Sequence, residues 1–182
     1  MGTIFIFLAT GFEEIEAVAT IDVMRRGGLI VKSVSVTGQK LVEGAHGISV
    51  TADELFEDVD FLKAAMLVLP GGMPGASNLG NHAGLKNLLT GFHAENKPIA
   101  AICAAPGVLG GLGILDGKKV TCYPGFEDKL GKAVHTGKPL VVDGNVITGK
   151  GPGFAVTFGL GIVEYLKGKD AADEVAAGLL LK

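Results

Sequence analysis

The chain has 182 residues, a formal net charge of -3, 48% hydrophobic and 19% charged residues, which is the composition of a globular protein and not of a disordered or fibrous one. One domain spanning residues 1–182, large enough to bury a sizeable core, is expected. No Lys/Arg run exceeds a pair, and no apolar run approaches the roughly 18 residues of a membrane helix, so neither nucleic acid nor a membrane is an expected partner.

Thr3 to Ala9 reads as a first strand, because the apolar run has no basic flank and runs into Glu13 and Glu14, unlike an export signal. Gly2 invites a myristoylation reading that Ile6 spoils, since Ser or Thr is wanted there. A cytoplasmic location is the resulting expectation. "EEIEAVATIDVMRR" opens on acids, closes on two arginines and meets Gly27-Gly28, which predicts a capped helix. "LIVKSVSV" predicts a second strand, Lys40 to Thr51 a hairpin-like excursion, and "AAMLVLPGG", Ala64 to Gly72, a buried third strand.

Helical spacing returns from His82 to Glu95, "PIAAIC" is a short apolar strand, and Ala104 to Leu115 predicts a further helix. "KVTCYP" supplies another strand. "PLVVDGNVIT" carries Asp143-Gly144 between β-branched runs, a hairpin signal. Helices from Phe154 to Lys167 and from Asp170 complete the pattern. Alternating strands and helices, with strands apolar throughout, predict an α/β fold: a mostly parallel sheet with helices on both faces.

Several apparent motifs carry no chemistry. "GNVITGKG", Gly144 to Gly151, has phosphate-loop spacing but places Gly151 where Ser or Thr would hold magnesium, and its interior is strand-like. The four histidines, His46, His82, His93 and His135, show no metal-binding spacing, so no metal site is expected. Glu54, Glu57, Asp58 and Asp60 read as a solvated cluster. Two cysteines, Cys103 and Cys122, make a disulfide framework improbable and are too distant for a CxxC motif.

Cys103 stands at the carboxyl end of a predicted strand, where open α/β sheets place their ligands and catalytic groups. Its small neighbours Ala104, Ala105 and Gly107 suit a sharp strand-to-helix turn, and Pro106 suits a first helical turn. A thiol at a helix N-terminus is expected to have a lowered pKa and to act as a nucleophile; the alternative is a small core residue. "LPGG" ends a neighbouring strand, so the N–H groups of Gly72 and Ala104 could form an oxyanion hole, or Gly72 could belong to a mere turn. Glu16, among Ile15, Ala17 and Val18, is either a desolvated carboxyl near the strand ends or an ordinary exposed helix acid.

"GFEEIEAVATIDVMRRGG", "VLPGG", "AAICAAPGVL" and "KGPG" together resemble the ThiJ/PfpI superfamily, in its parkinsonism-associated protein deglycase branch, over nearly the whole chain. The resemblance implies a flavodoxin-like fold of the class I glutamine amidotransferase type, usually a homodimer, with Cys103 as nucleophile, Glu16 as its protonated partner, and Gly72 and Ala104 as oxyanion donors. It implies a cofactor-free glyoxalase or deglycase acting on a small 2-oxoaldehyde, or on glyoxal adducts; its alternative is redox sensing through an oxidisable cysteine with chaperone-like protection. An old label in thiamine biosynthesis finds no residue here. Peptidase-like relatives carry His directly after the nucleophile, where this chain has Ala104. Tyr123 stands where closer relatives often have His, His46 where an arginine can occur at the dimer contact, and Gly178 where a pocket-lining proline can occur.

Overall fold

The computed structural model describes residues 2–181, so the two end residues of the expected 1–182 domain lie outside it. The first strand, β1 (Thr3–Leu8), shows why both sheet faces are covered. Its side chains alternate, sending Ile4 and Ile6 into one apolar cluster and Phe5 and Phe7 into another. A strand with apolar residues at every position is stable only between two layers of helix.

The chain then runs through α1 (Glu14–Arg26), β2 (Val31–Ser35), the hairpin β3 (Leu41–Glu43) and β4 (Ser49–Thr51), the short β5 (Glu54–Leu55), β6 (Ala64–Leu69), α2 (Gly75–Asn81), α3 (Ala83–Ala94), β7 (Ile99–Ile102) and α4 (Pro106–Gly111). It closes with β8 (Lys119–Val120), β9 (Val134–His135), β10 (Leu140–Asp143), β11 (Val146–Gly149), α5 (Ala155–Lys167) and α6 (Lys169–Gly178). Seven strands form the central sheet in the order β10-β11-β7-β6-β1-β2-β5, parallel except for the β10–β11 hairpin. Leu79 of α2, Leu85 and Leu89 of α3 and Leu109 of α4 pack on one face; Val23 of α1, Phe158 and Ile162 of α5 and Val175 of α6 pack on the other. The predicted mostly parallel, doubly covered α/β sheet is therefore present.

Local differences have local causes. α2 was not legible, because it has only seven residues and includes two glycines; the Ala76 N–H bonded to the Gly72 carbonyl and the buried Leu79 hold it. α4 stops at Gly111 rather than Leu115, where Gly110, Gly111 and Gly113 favour a turn. "KVTCYP" gives only two strand residues, which pair with β9 outside the main sheet, because the Thr121 N–H turns to the Thr148 hydroxyl instead of continuing a ladder. The predicted turn places Gly144 and Asn145 between paired Asp143 and Val146, and β11 occupies the phosphate-loop lookalike as a buried strand.

Candidate active site around Cys103

β6 and β7 are adjacent and parallel, so their carboxyl ends deliver "LPGG" and Cys103 to the same edge of the sheet. Directly after β7, Cys103 adopts φ 67°, a left-handed conformation that a non-glycine residue holds only when its surroundings fix it. Two hydrogen bonds do so. The Cys103 N–H donates to the Gly149 carbonyl at 3.0 Å, and its carbonyl accepts the Tyr123 N–H at 2.8 Å. The side chain is thereby lifted from the strand, yet it remains only 8% exposed.

α1 brings the second group. Glu13 caps the helix by accepting the Glu16 N–H at 2.6 Å, which aims the first turn at the end of β6. The fully buried Glu16 carboxyl accepts the Gly71 N–H at 2.7 Å through Oε2 and is hydrogen-bonded to the Cys103 thiol. Among the described residues its Oε1 finds no partner, and one helical turn away the buried Thr20 hydroxyl finds none either. The exposed-acid alternative for Glu16 is excluded by this burial.

Gly72 takes φ 90°, a region that glycine enters without Cβ strain. Its N–H and that of Ala104 both favour the charged form of the Cys103 sulfur. Sequence reasoning did not single out Gly71, although the glycine pair carried the signal. A Cβ at Gly71 would lie 2.6 Å from the Cys103 Cβ and 2.7 Å from Glu16 Oε2, so only glycine lets thiol and carboxyl meet.

Burial pushes the Glu16 carboxyl up to about 7, against the opposing bonds from Cys103 and the Gly71 N–H. The thiol does not follow the expected fall. Burial first, and then the Glu16 charge, drive Cys103 above its ordinary value, and the Gly72 and Ala104 amides only partly oppose them. α4 has six residues and begins at Pro106, so it offers little dipole at Cys103. The two acids behave as one coupled unit: the first proton leaves near pH 7, while removal of the second would put two negative charges side by side in a buried site. A Cys103 thiolate is therefore tolerated only while the remaining proton sits on Glu16.

This pairing of a strained cysteine, a buried glutamic acid and two convergent amides covers all four residues singled out in sequence, Cys103, Glu16, Gly72 and Ala104. The family model described as DJ-1/PfpI matches residues 2–165. This chain belongs to the DJ-1/PfpI family. Protein DJ-1 homolog A of Arabidopsis thaliana is 42% identical over 183 residues, covering 99% of this chain and 47% of that protein. This chain thus spans about half the length of that relative. The Parkinson disease protein 7 homolog of Danio rerio is 38% identical over 181 residues, with 97% and 96% of the two chains covered. Oxidized Toxoplasma gondii DJ-1 superposes with a TM-score of 0.94 at 36% identity, covering 99% of this chain and 98% of that one. The DJ-1/PfpI flavodoxin-like fold read from the sequence is present here.

The three positions at which the resemblance implies other residues stand in different surroundings. Tyr123 is 44% exposed and its ring packs against Phe126, with centroids 6.4 Å apart. His46 holds Glu14, the ring Nδ1 lying 2.8 Å from one carboxylate oxygen while the His46 N–H donates to the other at 2.6 Å. Gly178 ends α6 and borders a separate cavity with Arg26, Gly28 and Lys167. A cleft of about 520 Å³ opens beside Ala104 and Met73, between α2 and α4. Among the described residues no helix is long and apolar enough to cross a membrane.

Proposed function

We propose that the chain, acting as one domain, is a cofactor-free enzyme of the glyoxalase or deglycase type that converts small 2-oxoaldehydes to 2-hydroxy acids. The observation that carries this reading is the convergence of the Glu16 carboxyl and the Gly72 and Ala104 N–H groups on one sulfur. Cys103 adds through sulfur to the aldehyde carbon, giving a hemithioacetal whose oxygen takes up the proton. Glu16 removes the hydrogen from that carbon and returns a proton to the neighbouring carbon, which turns the hemithioacetal into a thioester without net oxidation. Water then cleaves the thioester, so one water is consumed per aldehyde. The two amides stabilise oxyanions along this path. Small substrates suit a cysteine that is 8% exposed.

Purified protein, after chelation, is expected to turn methylglyoxal into lactate, and Cys103→Ala to lose that activity; equal turnover by the variant ends the proposal. A redox-sensing and protective role is the second reading, favoured by the oxidized state of the Toxoplasma structure. A thiolate beside an acid and two amides suits sulfinate formation as well. Mild peroxide that modifies Cys103 in a protein with no aldehyde turnover would favour that role.

The same reading places the protein in the cytoplasm as a homodimer. Ile15 and Val18 on α1 and Ile48 after β3 are exposed apolar side chains, and Glu14 accepts the Ile48 N–H at 3.4 Å, which supports an interface at this end of α1. Light scattering is expected to give twice the chain mass, and Val18→Asp to give a monomer.

A further inference from the structure

A second constellation lies behind the Cys103 elbow. The Cys122 thiol, the Glu127 carboxylate and the His135 imidazole present donor atoms that all lie within 4.8 Å of one another. They come from three segments: Cys122 follows β8, Glu127 opens the 3-10 turn Glu127–Lys129, and His135 ends β9. The parallel pairing of Val120 with His135 brings the first and last together, which is why no sequence spacing announced the group. Cys122 is fully buried, whereas Glu127 and His135 are exposed, Glu127 accepting the Gly125 N–H.

Burial and then the Glu127 carboxylate push the Cys122 thiol up to about 11, both acting in one direction. Glu127 stays below its ordinary value, chiefly through its own backbone N–H, with help from the Gly125 N–H at 2.8 Å and from His135. The comparable group at Glu13, Glu14 and His46 is different. There the carboxylates already accept the N–H groups of Glu16, His46 and Ile48, and no sulfur is present.

We propose that Cys122, Glu127 and His135 form a zinc-binding site. One sulfur, one nitrogen and one oxygen donor suit a tetrahedral borderline-soft ion with water in the fourth position, and a thiolate disfavours magnesium or calcium. Metal–donor bonds of about 2.0–2.3 Å require the donors to close by roughly 1 Å, a movement within reach of the two exposed side chains. Binding forms a Zn–S bond and releases the thiol proton to the medium, with no change of oxidation state. Bound zinc would tie the segments around β8 and β9 together one residue before Tyr123, whose N–H holds the Cys103 carbonyl.

Cobalt(II) reports the site, because a cysteine ligand gives a thiolate-to-metal charge-transfer band. Metal-free protein and its Cys103→Ala variant are each titrated with Co²⁺, which is then displaced by Zn²⁺. The expected result is one equivalent with a charge-transfer band in both, the band abolished in Cys122→Ala, and affinity weakened in His135→Ala by at least the roughly tenfold that loss of an outer-shell partner costs. Since His135 is exposed, that variant decides the matter even if Cys122→Ala misfolds. A band that vanishes in Cys103→Ala belongs to the other thiol and overturns the proposal. So does a band that survives at full strength in His135→Ala, or no saturable band at all.

Discussion

Cys103 and Cys122 are both buried and neither is in a disulfide, yet their surroundings ask different things of sulfur. Cys103 packs with the α1 and α5 side of the sheet, in a left-handed turn, where two amides and a carboxyl address it. Cys122 packs with the α2 to α4 side, and the charge nearest it is the Glu127 carboxylate, which opposes ionisation. Burial alone makes a thiol inert; directed backbone donors and a partner able to hold the proton are what make a buried thiol usable.

The largest expected effect is on turnover. Cys103→Ala should lower methylglyoxal conversion at least about a thousandfold, as loss of a nucleophile does elsewhere, while Cys122→Ala in metal-free protein keeps it within a few-fold. Comparable losses in the two variants would erase the distinction between the thiols.

Next in size is a pH effect carried by Glu16. Its carboxyl ionises at about 7 in the folded chain against an ordinary 4.5, so the folded state binds the proton more tightly than the unfolded state. Stability from this group is fully present below pH 4.5 and falls as pH rises to about 7, by on the order of 3 kcal/mol. Urea unfolding of wild type and Glu16→Gln across that window should show the decline in the first and its absence in the second; parallel curves would mean an ordinary carboxyl.

Gly71→Ala tests the closeness of the pair, because the added Cβ would lie 2.6 Å from the Cys103 Cβ. We expect about 1–3 kcal/mol lost in chemical denaturation together with impaired turnover. Full activity at unchanged stability would show that the pair tolerates separation.

Alkylation offers a finer contrast. Limiting iodoacetamide at neutral pH should label Cys103 before Cys122, with a rate that rises through about pH 7 as the coupled unit loses its first proton. In Glu16→Gln the inflection should move above 7, since desolvation still raises the thiol while the carboxyl proton is gone. An inflection fixed near 7 in both proteins argues against coupling.

The smallest change is expected from His46→Ala. Glu14 holds the His46 ring above its ordinary pKa, so the ring contributes stability below that ordinary value and loses it as pH rises through the raised one. The variant should therefore differ more from wild type at pH 5.5 than at pH 8.5, and the reverse order would reassign the contact.

Much of this was legible because the signals were short-range. Apolar alternation in "TIFIFL", the acids and arginines bracketing α1, and small residues around Cys103 each act through neighbours within a few positions. Where the decisive contact was remote, local reading faltered: α2 rests on Leu79 reaching the core, and the missing ladder after β8 rests on Thr148. The lowered thiol pKa expected of Cys103 failed for a similar reason, since the short α4 and a carboxyl 87 positions earlier in the chain set the local field.

The sequence by itself determined the α/β layering, the position of the cysteine at a strand end, and the residues able to serve it, because hydrophobic period and turn chemistry are written locally. Only the tertiary structure decided that Glu16 is buried against sulfur, that Gly71 must lack a side chain, and that Cys122 faces Glu127 and His135. Those facts depend on which strand ends become neighbours, and on how much water the packed helices exclude, which no window of sequence contains.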